Sequence, residues 1–163
     1  CDHIDRIQDA LGRPMLLENP ATYLGFADCH FDEPEFICEV IRRTDCGLLL
    51  DVSNVHVSCT NHAREPRTYL QCLPLESVGE IHLAGFATRQ DARGRPLLID
   101  SHDRAVDDAV WALYADVLRL VGPMPTLIER DADIPAWNDL AAEAARAEAM
   151  LRACEEAGLV AAG

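Results

Sequence analysis

Glu18, Asp51, His82 and Glu129 are the residues from which chemistry can be built. Each sits at or near the end of a short apolar run: MLLEN, GLLLDV, EIHLAG and TLIERD. A lone acid at such a place is commonly a hydrogen-bond acceptor for a loop, and a lone histidine a satisfied polar residue. Four runs that end the same way are a pattern. Asp100 and His102 add a D-x-H pair, and two ligands two residues apart in an extended segment point the same way. Carboxylates mixed with imidazoles suit iron, manganese or zinc, and a carboxylate can bridge two ions. Clustered acids are costly unless a cation is near. The sequence contains no lysine, and the only arginines close to these residues along the chain are Arg104 and Arg130. The cluster therefore calls for a metal.

The elements that must position these residues follow from hydrophobic spacing. Ile4, Ile7 and Leu11 predict a helix closed by Gly12. Residues 33–44 predict a second, with Phe36, Ile37, Val40 and Ile41 on one face. Pro66 opens a short helix. Val106, Val110, Leu113, Val117 and Leu120 mark a strong amphipathic one, with Asp107 and Asp108 in its first turn and Gly122 at its end. An Ala-rich helix runs from about Pro135 to Glu156, closed by Gly158. Between them lie apolar runs of strand length at 15–19, 47–52, 80–85 and 126–131. Residues 86–96 read as a polar loop leading into LLIDSHD, and no strand pair is joined by a hairpin. Trp111 and Trp137 read as packing residues. Gly85 reads as a turn, with a close backbone approach to the site as the alternative. Alternating strands and helices imply an α/β fold with parallel strands and helical crossovers. In a (β/α)8 barrel the strand C-termini converge on one mouth, where four chain-distant ligands would meet.

Composition bounds the function. The 163 residues are 49% hydrophobic and 26% charged, enough for a core and read as one domain over 1–163. Fourteen basic against 28 acidic residues give a net charge of −14, the wrong sign for nucleic-acid backbone or anionic membrane surfaces. No run approaches a membrane span, and no signal peptide opens the chain. Seven cysteines without a CxxC read as reduced thiols of a cytoplasmic protein.

The segments LLENP, GLLLDVSNVHVS followed by NH, PLESVGEIHLAG, LIDSHDRAVDDAVWALY and PTLIERDADIPAW resemble the multinuclear non-haem iron-dependent oxidative enzymes (MNIO) over nearly the whole chain. That resemblance implies a barrel of the xylose isomerase type. It implies oxidation of cysteine residues in ribosomally made precursor peptides, with two or three iron ions and dioxygen, and a separate protein that recognises the peptide. Carried over residue by residue, Glu18 matches the carboxylate that bridges the first and second metals. Asp51, His82 and Glu129 match further ligands of the second metal, and Asp100 and His102 match two ligands of a third. Members with a full third site carry His where this chain has Asn54, a neutral and weak oxygen donor. His56, read as two positions farther along an extended segment, falls on the same side as Asn54. His62 reads as shaping a loop or touching substrate.

A complete barrel needs about 250 residues. The sequence therefore reads as the C-terminal half of a TIM barrel, with four strands and the remaining ligands of the first metal expected upstream. Two open parallel edges make a homodimer of halves one expectation. A zinc, manganese or magnesium hydrolase or sugar isomerase on the same barrel, and an inactive half barrel, are the other two.

Overall fold

The computed structural model describes residues 1–161. Helix α1 (Asp2–Leu11) ends on Gly12 in the left-handed region, as its sequence requires. Strand β1 (Leu16–Glu18) follows. Helix α2 (Glu33–Thr44) starts with a capping box in which Asp32 and Glu35 each accept the other's backbone N–H. It buries Ile37, Val40 and Ile41 but leaves Phe36 exposed. Strand β2 (Gly47–Asp51) runs directly into helix α3 (Val52–Asn61). Helix α4 (Pro66–Gln71) and a 3-10 turn (Leu75–Ser77) precede strand β3 (Val78–Ala84). Strands β4 (Ala87–Gln90) and β5 (Pro96–Ile99), helix α5 (Asp108–Val121), strand β6 (Thr126–Glu129) and helix α6 (Trp137–Ala161) complete the order.

Strands β1, β2, β3 and β6 form one parallel sheet in that order. This is the expected α/β architecture: parallel strands joined by helical crossovers, as in part of a TIM-barrel-like fold. Leu48 and Leu50 of β2 and Ile81 and Leu83 of β3 are fully buried in one core with Ile37, Val40, Leu70, Val110, Tyr114 and Val117 from the helices. The alternate residues of β2 and β3, among them Asp51 and His82, lie on the opposite face. No helix among the described residues is long and apolar enough to cross a membrane.

Four local readings are corrected. Residues 86–99 are an antiparallel hairpin, with Ala87 opposite Ile99 and Gln90 opposite Pro96. Its turn is closed by the Asp91 carboxylate, which accepts the backbone N–H of Arg93 and Arg95, with Gly94 at φ 73°. Three exposed polar residues on β4 hid the alternation that would have marked a strand. Residues 52–61 are helical rather than extended despite their β-branched content, because the Asp51 carboxylate caps Asn54 N–H at 2.7 Å and the valines reach the core. Gly158 lies inside α6 and does not end it. Trp111 is buried as expected, with the Arg146 guanidinium 4.5 Å above its ring, but Trp137 is 77% exposed at the start of α6.

Candidate metal centre

Glu18 ends β1, Asp51 ends β2, His82 lies near the end of β3 and Glu129 ends β6. Their register is set by the ladder: Asp51 pairs with His82 and Ala84 with Glu129. One ligand atom each from Glu18, Asp51 and His82 lies within 4.8 Å of the other two. The same holds for Asp51, His102 and Glu129. Asp51 belongs to both groups, and together they take in five of the six expected residues. Asp100 lies outside both triads and holds His102 through a 2.6 Å contact between its Oδ1 and Nε2.

Backbone-level ties fix this arrangement. Asn19 is fully buried; its amide donates to the Asp51 carbonyl and accepts the Asp51 N–H, each at 2.9 Å, which welds the end of β1 to the end of β2. The Ser53 hydroxyl accepts Ala84 N–H at 2.7 Å and donates to the Ala84 carbonyl at 2.9 Å, which locks α3 onto β3. Gly85 is a site of close approach rather than a simple turn. A Cβ there would lie 2.1 Å from the Arg104 carbonyl oxygen and 2.6 Å from that of Ala105. That closeness lets the Gly85 carbonyl accept His102 N–H at 3.0 Å. His102 itself adopts φ 48°, a strained conformation for a non-glycine residue, held by its backbone bonds to Gly85 and Asp131. None of these supports was legible in spacing. Asn19 and Ser53 adjoin predicted ligands, which is the only signal they carry.

Asn54 and His56 part company once their segment is a helix, because two residues span about 200° of it. Asn54 lines the cleft with Glu18, Tyr23, Asp100, His102 and Glu129. Its Nδ2 donates to the Asn19 carbonyl at 3.1 Å, and its Oδ1 is buried with no hydrogen-bond partner among the described residues. The His56 ring instead packs on Phe86, with centroids 5.1 Å apart, and burial lowers its pKa. It is not brought to the triads. His62 contacts the Thr22 hydroxyl at 3.1 Å and so shapes the loop after β1. From that loop the Tyr23 hydroxyl accepts Asp100 N–H at 3.0 Å.

The electrostatics of the cluster are those of a site short of positive charge. Burial pushes the Asp51 carboxyl up to about 7, against the lowering effect of its bond from Asn54 N–H, and Asp100 and Glu18 push the same way. Burial also raises Glu18, and Glu129 and Asp100 add to it. His102 is raised to about 9 by its contact with Asp100, against its own burial. The nearby arginines are committed elsewhere: Arg104 to Asp103 at 2.7 Å and Arg130 to Glu143 at 3.1 Å. Asp51 Oδ2 and His102 Nδ1, on two of the triad residues, are buried with no hydrogen-bond partner among the described residues. Oxygen and nitrogen donors, excess negative charge and orphaned ligand atoms together fit a divalent cation.

The family model described as "RiPP precursor modification enzyme MbnB/TglH/ChrH" matches residues 1–152. Similar curated proteins include a UPF0276 protein of Bordetella pertussis, 58% identical over 151 residues, which are 93% of this chain and 52% of that protein. A UPF0276 protein of Rhizobium meliloti is 51% identical over 150 residues, 92% of this chain and 48% of the relative. One from Chromobacterium violaceum is 46% identical over 154 residues, 94% and 54%. The chain thus spans about half the length of the curated relatives it matches.

Proposed function

Because the chain belongs to the MbnB/TglH/ChrH family of RiPP precursor modification enzymes, we propose that it forms the metal-binding part of an enzyme that oxidises cysteine residues of a ribosomally made precursor peptide with iron and dioxygen. The observation that carries this reading is the pair of triads sharing buried Asp51, with four of their five residues at or near the C-terminal ends of four parallel strands. Glu18, Asp51, His82, His102 and Glu129 would hold the ions, and Asp100 would hold His102. Bound iron would supply the redox chemistry, passing electrons from a substrate thiolate toward dioxygen, and a cation beside a thiol also favours the thiolate.

The chain's own residues do the rest. Asn19 and Ser53 fix the spacing of the ligands to the rigidity of the sheet. Tyr23 and Asn54 line the cleft through which a peptide side chain reaches the centre, and the orphaned Asn54 Oδ1 is a ready acceptor for a peptide N–H. The precursor peptide, a separate recognition protein and cytoplasmic location belong to this proposal. So does the organisation of the chain as the C-terminal portion of a TIM-barrel metalloenzyme, including a homodimer of such portions.

Metal analysis after anaerobic purification tests the reading. Bound iron, lost on His82→Ala and giving a visible absorption band when peptide thiol is added, is the expected result. Zinc alone, with no response to thiol, would move the chain to the hydrolase or isomerase chemistry of the same barrel.

A further inference from the structure

The imidazole of His82 has two faces, and the structure gives them different neighbours. Nδ1 lies 3.2 Å from Oε2 of Glu129, a member of the second triad. Nε2 lies 3.4 Å from Oε1 of Glu80, an acid in neither triad. Glu80 sits two residues before His82 on β3, so both side chains project from the same face of the sheet, Glu80 one pleat farther from the strand's C-terminal end. Their partners across the ladder repeat the step: Glu80 opposes Leu49 and His82 opposes Asp51. Among the described residues the Glu80 carboxylate has no other ion pair, and its side chain is 35% exposed on the face it shares with His82.

A histidine that binds a metal through one ring nitrogen carries a proton on the other. A carboxylate on that proton fixes the tautomer, aims the ring and makes the ligating nitrogen a better donor. We infer that Glu80 is the positioning carboxylate of His82: it accepts the Nε2 proton and thereby commits Nδ1 to the ion. This rests on the metal-centre reading above and assigns the residue that orients one of its ligands. Glu80 is not itself a ligand. Once Nδ1 is committed to the ion, Nε2 is the only ring nitrogen left to donate.

The experiment uses the chain labelled with 15N at histidine and loaded with Zn2+ as a diamagnetic probe, with Fe2+ affinity measured anaerobically in parallel. The expected spectrum shows His82 protonated at Nε2, with Nδ1 shifted by the metal. Glu80→Leu should weaken Fe2+ binding about 10–100-fold, the range for loss of such a carboxylate, and should abolish the slowly exchanging Nε2 proton. Glu80→Gln keeps an acceptor oxygen in the same place and should recover most of the affinity. A His82 protonated at Nδ1 in the zinc-loaded wild-type chain overturns the inference without any variant. Equal affinity in Glu80→Leu and the wild type also overturns it, while leaving the metal centre standing. A wild-type chain that takes up neither ion overturns the metal-centre reading, and this inference with it.

Discussion

Asp51→Asn separates the cost of the site from its use. The substitution keeps the shape of the side chain and an oxygen to cap Asn54 N–H. It removes one buried negative charge and the orphaned Oδ2. In the chelated chain, the Asp51 carboxyl lies near 7 instead of its ordinary 3.8. Above pH 7 that difference corresponds to roughly 4 kcal/mol of folding stability forgone. The new amide group must find partners in the cluster, and a poorly satisfied one costs about 1–3 kcal/mol. The metal-free variant is therefore expected to be more stable than the wild type by about 1–3 kcal/mol at pH 8, or roughly 2–10 °C in Tm for a chain of this size. At pH 4 the order should reverse, because the wild-type Asp51 is then neutral in the folded chain and mainly the cost of the amide remains.

Adding a divalent ion should invert the order. At 100 times Kd, an ion that binds only the folded chain stabilises it by about 2.7 kcal/mol. The wild type should gain that increment and the variant little of it, since Asp51 serves both triads. Thermal unfolding at pH 4 and pH 8, with EDTA and then with Mn2+, reads all four corners. A variant less stable than the wild type in EDTA at pH 8 would refute the electrostatic argument. Equal stabilisation of both chains by Mn2+ would refute the placement of Asp51 in the metal centre.

Other consequences follow from the same contacts. The metal-free chain should lose stability as pH rises: Asp51 contributes below its unfolded value and loses that contribution by about pH 7, and His102 loses its own as pH passes from 6.5 through about 9. A Tm in EDTA that climbs steadily from pH 5 to pH 9 would contradict both shifts. Gly85→Ala forces a methyl group onto the Arg104 and Ala105 carbonyls, so it should cost about 1–3 kcal/mol and displace His102; unchanged unfolding and metal affinity would show that the loop gives way freely. Ser53→Ala strands the backbone N–H and C=O of Ala84 and should cost about 1–3 kcal/mol in chemical denaturation, whereas a midpoint unmoved by the change would mean that water replaces the hydroxyl.

The strand ends were legible because a parallel strand writes its chemistry at its C-terminal end, where an apolar run meets a polar side chain. Glu18, Asp51, His82 and Glu129 could therefore be found one at a time, and the structure brings all four to one end of the sheet. Helix α2 was legible to its bounds from apolar spacing, and its capping box holds the start the spacing marks. The β4–β5 hairpin was not, since its outer residues are polar and its turn rests on one aspartate binding backbone. Nor was α3, where β-branched residues argue against the helix that its cap and burial enforce. Propensity yields to tertiary context at such places.

What hid longest is also what the site depends on. Asn19, Ser53 and Gly85 act through backbone groups of residues 31 or more positions away, or 17 in the case of His102, so no local pattern records them. They hold several acids at separations that the acids themselves oppose, with His102 kept in a conformation it would not choose. A fold stabilised for its own sake would place apolar residues there. That the strain falls on the ligands, while the supports beside them are fully satisfied at Asn19 and Ser53, is what a scaffold built to be completed by a cation requires. Stability added by the ion should then concentrate in the ends of β1, β2 and β3. Hydrogen exchange of the Asp51 and Ala84 amides, which these two side chains hold, should slow on metal binding by more than that of the α2 amides. Uniform slowing across the chain would mean that the ion stabilises the whole fold without completing this particular frame.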